Sequence, residues 1–148
     1  PPQPPAPPPV KDTHWPKTWI DRFVLATMEK EKLIPVNSAE KTALIRRATF
    51  DLTGLPPTPD EIKAFLGDQS ESAFENLIDR LLKSPAYGER WGRHWLDVVR
   101  FAQTNGYERD DEKPLVWKYR DYVIRAFNQD KPYNRFVLEQ IAGDDFCP

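Results

Sequence analysis

From Trp19 onward, apolar residues recur at the three- and four-residue intervals of a helix, and proline or glycine interrupts each run where a helix would end. Ile20, Phe23, Val24 and Thr27 predict a first helix that stops before Pro35. Asn37 and Glu40 have capping-box spacing and predict the start of a second helix through Leu44, Ile45, Ala48 and Leu52, closed by Gly54 and Pro56-Pro57. Thr58-Pro59-Asp60-Glu61 places a cap, a first-turn proline and a returning glutamate before Ile62, Phe65 and Leu66. Ser72 and Glu75 repeat that device ahead of the cleanest amphipathic stripe, Phe74, Leu77, Ile78, Leu81 and Leu82. Pro114 precedes a helix with Val116, Tyr119, Val123 and Phe127 on one side, and Pro132 one through Phe136, Val137 and Ile141. No strand-like alternation is evident, so the reading is all-α: a compact orthogonal bundle of about six or seven helices with an extended Pro-rich N-terminal arm.

Residues 1–9, PPQPPAPPP, favour an extended polyproline rod and read as a spacer, so residues 1–16 form an arm and 17–148 the helical domain. Trp15 and Trp19 are expected to pin that arm to the helices. The formal net charge of −2, with both signs mixed throughout, supplies no basic stripe for a phosphate backbone, and nucleic acid is not an expected partner. No apolar run approaches the roughly 20 residues of a membrane span. The lone Cys147 permits no internal disulfide, thiolate zinc site or haem-attachment motif. A nucleophile elbow and a Gly-rich phosphate loop are also missing from the sequence.

The stretch RWGRHWLDVVRFAQTNGYERD, Arg90 to Asp110, sets ionisable groups among large rings. As a helix opening after Ser84-Pro85, it aligns Tyr87, Trp91, Trp95, Val98 and Ala102, with His94, Asp97 and Phe101 on the flank, and is predicted to end near Asn105-Gly106. His94 and Asp97, three apart on one face, are catalytic candidates together with Glu108, the carboxylates orienting or exchanging protons with the imidazole. The plainer expectation is that His94, between Trp91 and Trp95, is a hydrogen-bonded core residue. Asp97, Glu108 and Asp110 offer oxygen ligands for a hard cation such as calcium, although the loop lacks EF-hand spacing; otherwise it is a solvated acidic loop. Tyr107 and Trp117 fit the apolar stripes least well and are the candidates for stacking on a ligand. Arg90, Arg93 and Arg100, with Arg120-Asp121 on the next helix, are expected to form packing ion pairs.

The segments RRATFDLTGLPPTP from Arg46, LIDRLLKSPAYGERWGRHWLDVVRFAQTNGYERD from Leu77 and YRDYVIRAFNQDKPYNRFVLEQIAGD from Tyr119 resemble, in the same order, the planctomycete cytochrome-associated domain of unknown function. The resemblance spans about residues 19 to 144 and implies an extracytoplasmic setting beside a cytochrome-c-like module of the same large exported polypeptide. It also implies a link to redox chemistry or to breakdown of complex carbohydrate, which makes carbohydrate a further candidate partner. Members of that family carry a CxxCH haem-attachment motif beyond the segment matching EQIAGD, whereas this sequence closes at Asp144-Asp145-Phe146-Cys147-Pro148. The expectation is therefore the N-terminal portion of a longer domain, with no cofactor in this chain and haem c in a missing downstream region. Two functional classes follow: a non-catalytic helical module that positions a redox or carbohydrate-active partner domain, or an enzyme domain acting on complex carbohydrate through His94, Asp97 and the acidic loop.

Overall fold

The computed structural model describes residues 5–146 and divides the chain into two units, Pro1–Ala39 and Glu40–Pro148. Among the described residues there are seven α-helices, one 3-10 turn and no strand, only an isolated antiparallel bridge between Thr104 and Glu112. The all-α expectation holds. No helix among them is long and apolar enough to cross a membrane.

In the first unit, residues 5–17 form neither helix nor strand, and their backbone is tied to a carboxylate: the Lys11 and Asp12 N–H groups donate to Glu29 Oε1 at 2.9 and 3.2 Å. Helix α1, Trp19–Lys30, begins with a capping box, Thr18 Oγ1 accepting from the Asp21 N–H at 3.3 Å while Asp21 accepts from the Thr18 N–H at 2.8 Å. The predicted apolar stripe faces the solvent, with Ile20 74% exposed and Phe23 and Val24 also exposed, and the buried residue is Leu25. Trp19, expected to pin the arm, is likewise exposed.

The second unit begins with α2, Lys41–Thr53, followed by α3, Pro59–Gly67, and α4, Ala73–Leu82. Asn37 does not cap α2; Glu40 occupies that position, without a side-chain bond, and Gly54 ends the helix in the left-handed region at φ 74°. Thr58 caps α3 as expected, its hydroxyl accepting from the Glu61 N–H at 3.3 Å and Glu61 returning to the Thr58 N–H at 2.8 Å. Ser72 makes no such bond, because its φ/ψ of −88°/7° is already close to helical, and its hydroxyl accepts from the Asn76 amide instead. Ile45, Ala48, Phe65, Ala73, Leu77 and Leu81 form the first core, so the buried line of α4 is centred on Ala73, Leu77 and Leu81, with Phe74 and Leu82 at its exposed margins.

Helix α5, Pro85–Val98, packs against both α2 and α6, Trp117–Asn128. A second core joins Leu96, Val123, Ala126 and Phe136, the last from α7, Tyr133–Phe146, whose helical geometry breaks at Ala142. The buried line of α5 is Gly88, Gly92 and Leu96, one position on from the predicted ring stripe; Val98 is 73% exposed, and so is Ala102 in kind. In α7 Phe136 is buried as expected, whereas Ile141 is 79% exposed. Helix α5 also ends earlier than Asn105-Gly106. Arg100 takes φ 54°, its N–H donates to Asp97 O at 3.2 Å and the Phe101 N–H donates to Leu96 O at 2.9 Å, which is a Schellman closure built without glycine. Lys32 at φ 57° and Asp130 at φ 46° close α1 and α6 with the same pair of bonds.

Candidate functional site

His94 and Asp97 lie on the solvent side of α5, and both are exposed. The expectation of a buried, hydrogen-bonded His94 is therefore corrected: its ring meets the edge of Trp91 at 5.3 Å, and Trp91 in turn lies 6.2 Å from Tyr87, a row that runs from the half-buried Tyr87 out to the exposed Trp91 and His94. The register of α5 explains the difference. With glycine at 88 and 92, the helix approaches α6 through its backbone, and that turns the rings at 91 and 94 outward while Tyr87 stays half-buried beside Trp95 and Phe136.

Beyond Phe101 the chain forms a loop whose ends are paired, the Asn105 N–H donating to Asp111 O at 3.0 Å and the Lys113 N–H to Gln103 O at 2.8 Å. At its tip, Tyr107–Arg109 makes a single 3-10 turn. Tyr107 is 93% exposed with φ 59°, an uncommon backbone for so bulky a residue, and Glu108 is exposed beside it. Asp110 accepts from the Gly106 N–H at 2.9 Å, and the Thr104 hydroxyl, followed by that N–H, holds its carboxyl below the ordinary aspartate range. Asp110 thus fastens the loop to itself. Among the described residues no three of His, Cys, Asp and Glu gather closely enough to hold a metal ion, and Asp97, Glu108 and Asp110 do not converge as such a group. Trp117 opens α6 and is 46% exposed, with the Lys118 ammonium 6.0 Å from its ring centre.

The polar groups that do converge lie on the inner side, where α5, α6 and α7 meet. Trp95 donates its indole N–H to the Tyr119 hydroxyl at 2.9 Å, and that hydroxyl donates to Gln140 Oε1 at 2.5 Å. The Gln140 amide donates to the Tyr122 hydroxyl at 3.2 Å, which donates to Glu139 Oε2 at 2.8 Å. Glu139 also receives Lys131, and Arg135 Nε at 2.8 Å. Lys131, Arg135 and Tyr122, in that order, hold the Glu139 carboxyl down at about 2, while burial first, then the hydrogen bond to Glu139 and then its charge, push the Tyr122 phenol up to about 12. The rings pack as closely as the polar atoms: Trp95 meets Phe136 edge-on at 4.9 Å, and Tyr122 stacks on Phe136 at 5.9 Å. Arg120 holds its own neighbour Asp121 at 2.8 Å, a pair within α6 and not the helix-packing pair expected, and Arg90 Nε is buried without a hydrogen-bond partner.

Sequence reasoning found Trp95 and Tyr119 as rings but not the chain of hydroxyl, amide and carboxylate joining them. Only Arg135 and Glu139, at i and i+4, carry a local signal. The others meet because α6 folds back on α5 and α7 on α6.

The fold and these contacts define an all-helical protein whose converging inner polar groups are paired with one another. A family model described as PSCyt2, a protein of unknown function (DUF1549), matches residues 19–148, and the chain belongs to that family. No match was found among curated proteins or among solved structures.

Proposed function

We propose that this domain is a non-catalytic helical module of a larger exported, cytochrome-c-associated protein, and that it positions a redox or carbohydrate-active partner domain of the same polypeptide. The observation that carries this reading is the closed circuit from Trp95 through Tyr119, Gln140, Tyr122 and Glu139 to Lys131 and Arg135. A catalytic group needs a free lone pair or proton directed at a substrate, whereas the polar groups of this circuit are directed at one another. His94, Asp97 and Glu108 are exposed, which matches surface roles better than acid/base chemistry in a water-excluded site. The extracytoplasmic setting and the cytochrome partner rest on the resemblance of the three long motifs.

The test uses the complete gene product. Crosslinking followed by mass spectrometry is expected to join this domain to a haem-bearing or carbohydrate-active domain of the same chain, and His94→Ala with Asp97→Asn is expected to leave the activity of the whole protein unchanged. Turnover of a polysaccharide by residues 19–148 alone, lost in His94→Ala, would overturn the proposal.

A further inference from the structure

We infer that the aromatic pocket between α5, the end of α6 and the start of α7 binds a methylated ammonium head group, with Asp130 as its counter-charge. Such a site stands apart from the positioning role.

The pocket has a volume of about 190 Å³ and is lined by five rings, Tyr87, Trp95, Phe127, Tyr133 and Phe136, with Asp130 beside them. That is below the roughly 300 Å³ at which sites for drug-sized molecules begin, so it suits a compact head group. Its shape follows from the ring angles. Trp95 and Phe127 stand at 77° and 74° to Phe136, with centroids 4.9 and 6.2 Å from it, so two walls rise steeply from one buried ring. The rim is fixed by the turn that closes α6: Asp130 takes φ 46°, its N–H donates to Phe127 O at 3.1 Å, and the Lys131 N–H donates to Ala126 O at 2.9 Å. The Phe136 N–H then donates to Pro132 O at 2.9 Å, which starts α7 and places Tyr133 beside that turn. The walls are in place before any ligand arrives, which lowers the ordering cost of binding.

The lining narrows the ligand. Packing does not account for Tyr133, which lines the pocket and yet is 73% exposed. Asp130 is exposed too, and its carboxylate has no ion-pair or hydrogen-bond partner among the described residues. Ring faces carry partial negative charge and attract a cation, most strongly one that sheds its water readily. A methylated ammonium does so, whereas a primary ammonium brings three N–H donors that ring faces satisfy poorly. Lys131 also lines the pocket, but its ammonium is engaged by two groups that do not, paired with Glu139 and 4.8 Å from the centre of the Tyr122 ring. Tyr122 stacks on Phe136, so this cluster of rings already holds one cation by the same force. Glu139 between Lys131 and Arg135 leaves one positive charge, and Asp130 balances it, so the surroundings carry no excess charge to repel a cationic ligand.

Tetramethylammonium and choline would be titrated into the intact chain by calorimetry, beside ethanolamine and the neutral isostere 3,3-dimethyl-1-butanol, with saturation-transfer NMR reading the bound methyl protons. The expected result is saturable, millimolar binding of both methylated cations, with ethanolamine and the neutral alcohol weaker by about tenfold. Tyr133→Ala and Asp130→Asn should each weaken it about threefold or more, and the exposed Tyr107→Ala should leave it unchanged. Both positions are exposed and a thermal melt checks folding; either variant alone suffices should the other not fold. Sedimentation with phosphatidylcholine vesicles separates the two sources of this head group, since a lipid site pulls the chain down with them and a site for a free solute does not. No binding of either cation, equal binding of the neutral alcohol or ethanolamine, or binding indifferent to both substitutions would overturn the assignment.

Discussion

Asn128, the last residue of α6, accepts the Gly88 N–H on its side-chain oxygen at 2.8 Å and returns its amide to Pro85 O at 3.1 Å, so that the end of one helix caps the beginning of another. The first turn of α5 has no cap of its own, since Ser84 makes no side-chain bond to it. A cap supplied from 40 residues away requires the two backbones to touch, and a side chain at 88 would prevent that: a Cβ there would stand 2.5 Å from Ile124 O and 2.6 Å from the Asn128 amide. Gly88→Ala is expected to destabilise by roughly 2–3 kcal/mol, and Asn128→Ala by about 1–2 kcal/mol. Gly92→Ala is the control. Its Cβ would meet Val123 Cγ1 at 3.3 Å, and the helix propensity gained offsets the crowding. Urea melts of the three variants check the order; equal losses at 88 and 92 would refute the close-approach account.

The contrast between two caps gives a second prediction. Thr58 and Ser72 have the same sequence signature, yet only Thr58 makes the reciprocal bonds. Thr58→Ala should cost about 1 kcal/mol and Ser72→Ala a small fraction of that, read as midpoint shifts at constant m-value.

These cases show what the sequence carries and what it does not. Helix number and the boundaries set by Pro59, Pro85 and Gly54 were legible, because proline and glycine act through their own backbone geometry. The face each helix buries was less so. Along α5 the large rings outweigh the glycines in any hydrophobicity pattern, but the tightest packing is made by Gly88 and Gly92, which have no side chain to count. The end of α5 was misplaced for a related reason: the search was for glycine, and Arg100 takes the left-handed turn instead. The Trp95–Tyr119–Gln140 circuit had no signature at all, being a product of tertiary approach.

Arg100 itself supports a third prediction. An L-residue at φ 54° carries a steric penalty that glycine does not, so Arg100→Gly should raise stability by roughly 0.5–1 kcal/mol after the greater freedom of glycine in the unfolded chain is set against it. Asp130→Gly should gain less, because aspartate tolerates the left-handed region better. A loss of stability in Arg100→Gly would mean that the guanidinium makes a contact outweighing the strain.

The outer face of α5 supplies a fourth. His94 and Asp97 are exposed, so His94→Ala and Asp97→Ala should each stay within about 0.5 kcal/mol of the parent, whereas Trp95→Ala, which removes an edge-on contact at 4.9 Å and the donor to Tyr119, should cost roughly 3 kcal/mol or more. Thermal melts separate the two groups, and a large loss in His94→Ala would place that residue inside.

Glu139 makes the helix contacts sensitive to acid. Its folded-state carboxyl is held at about 2 against an ordinary 4.5, so the stabilisation it supplies is complete above about pH 4.5 and is lost as pH falls towards 2. Glu139→Gln should therefore melt well below the parent near neutral pH, and the gap between the two should close over that same window. Tyr122 provides an independent readout at the other end of the scale. Its phenol, pushed up to about 12, titrates later than an ordinary tyrosine, and removing the Glu139 charge should bring it down while leaving it above 10, because burial is the larger cause and the substitution does not change it. Ultraviolet titration of the parent and Glu139→Gln measures that shift. A melting gap that stayed constant from pH 7 to 2, or a phenol that did not move, would show that the carboxylate is not charged against Lys131 and Arg135 in the folded protein.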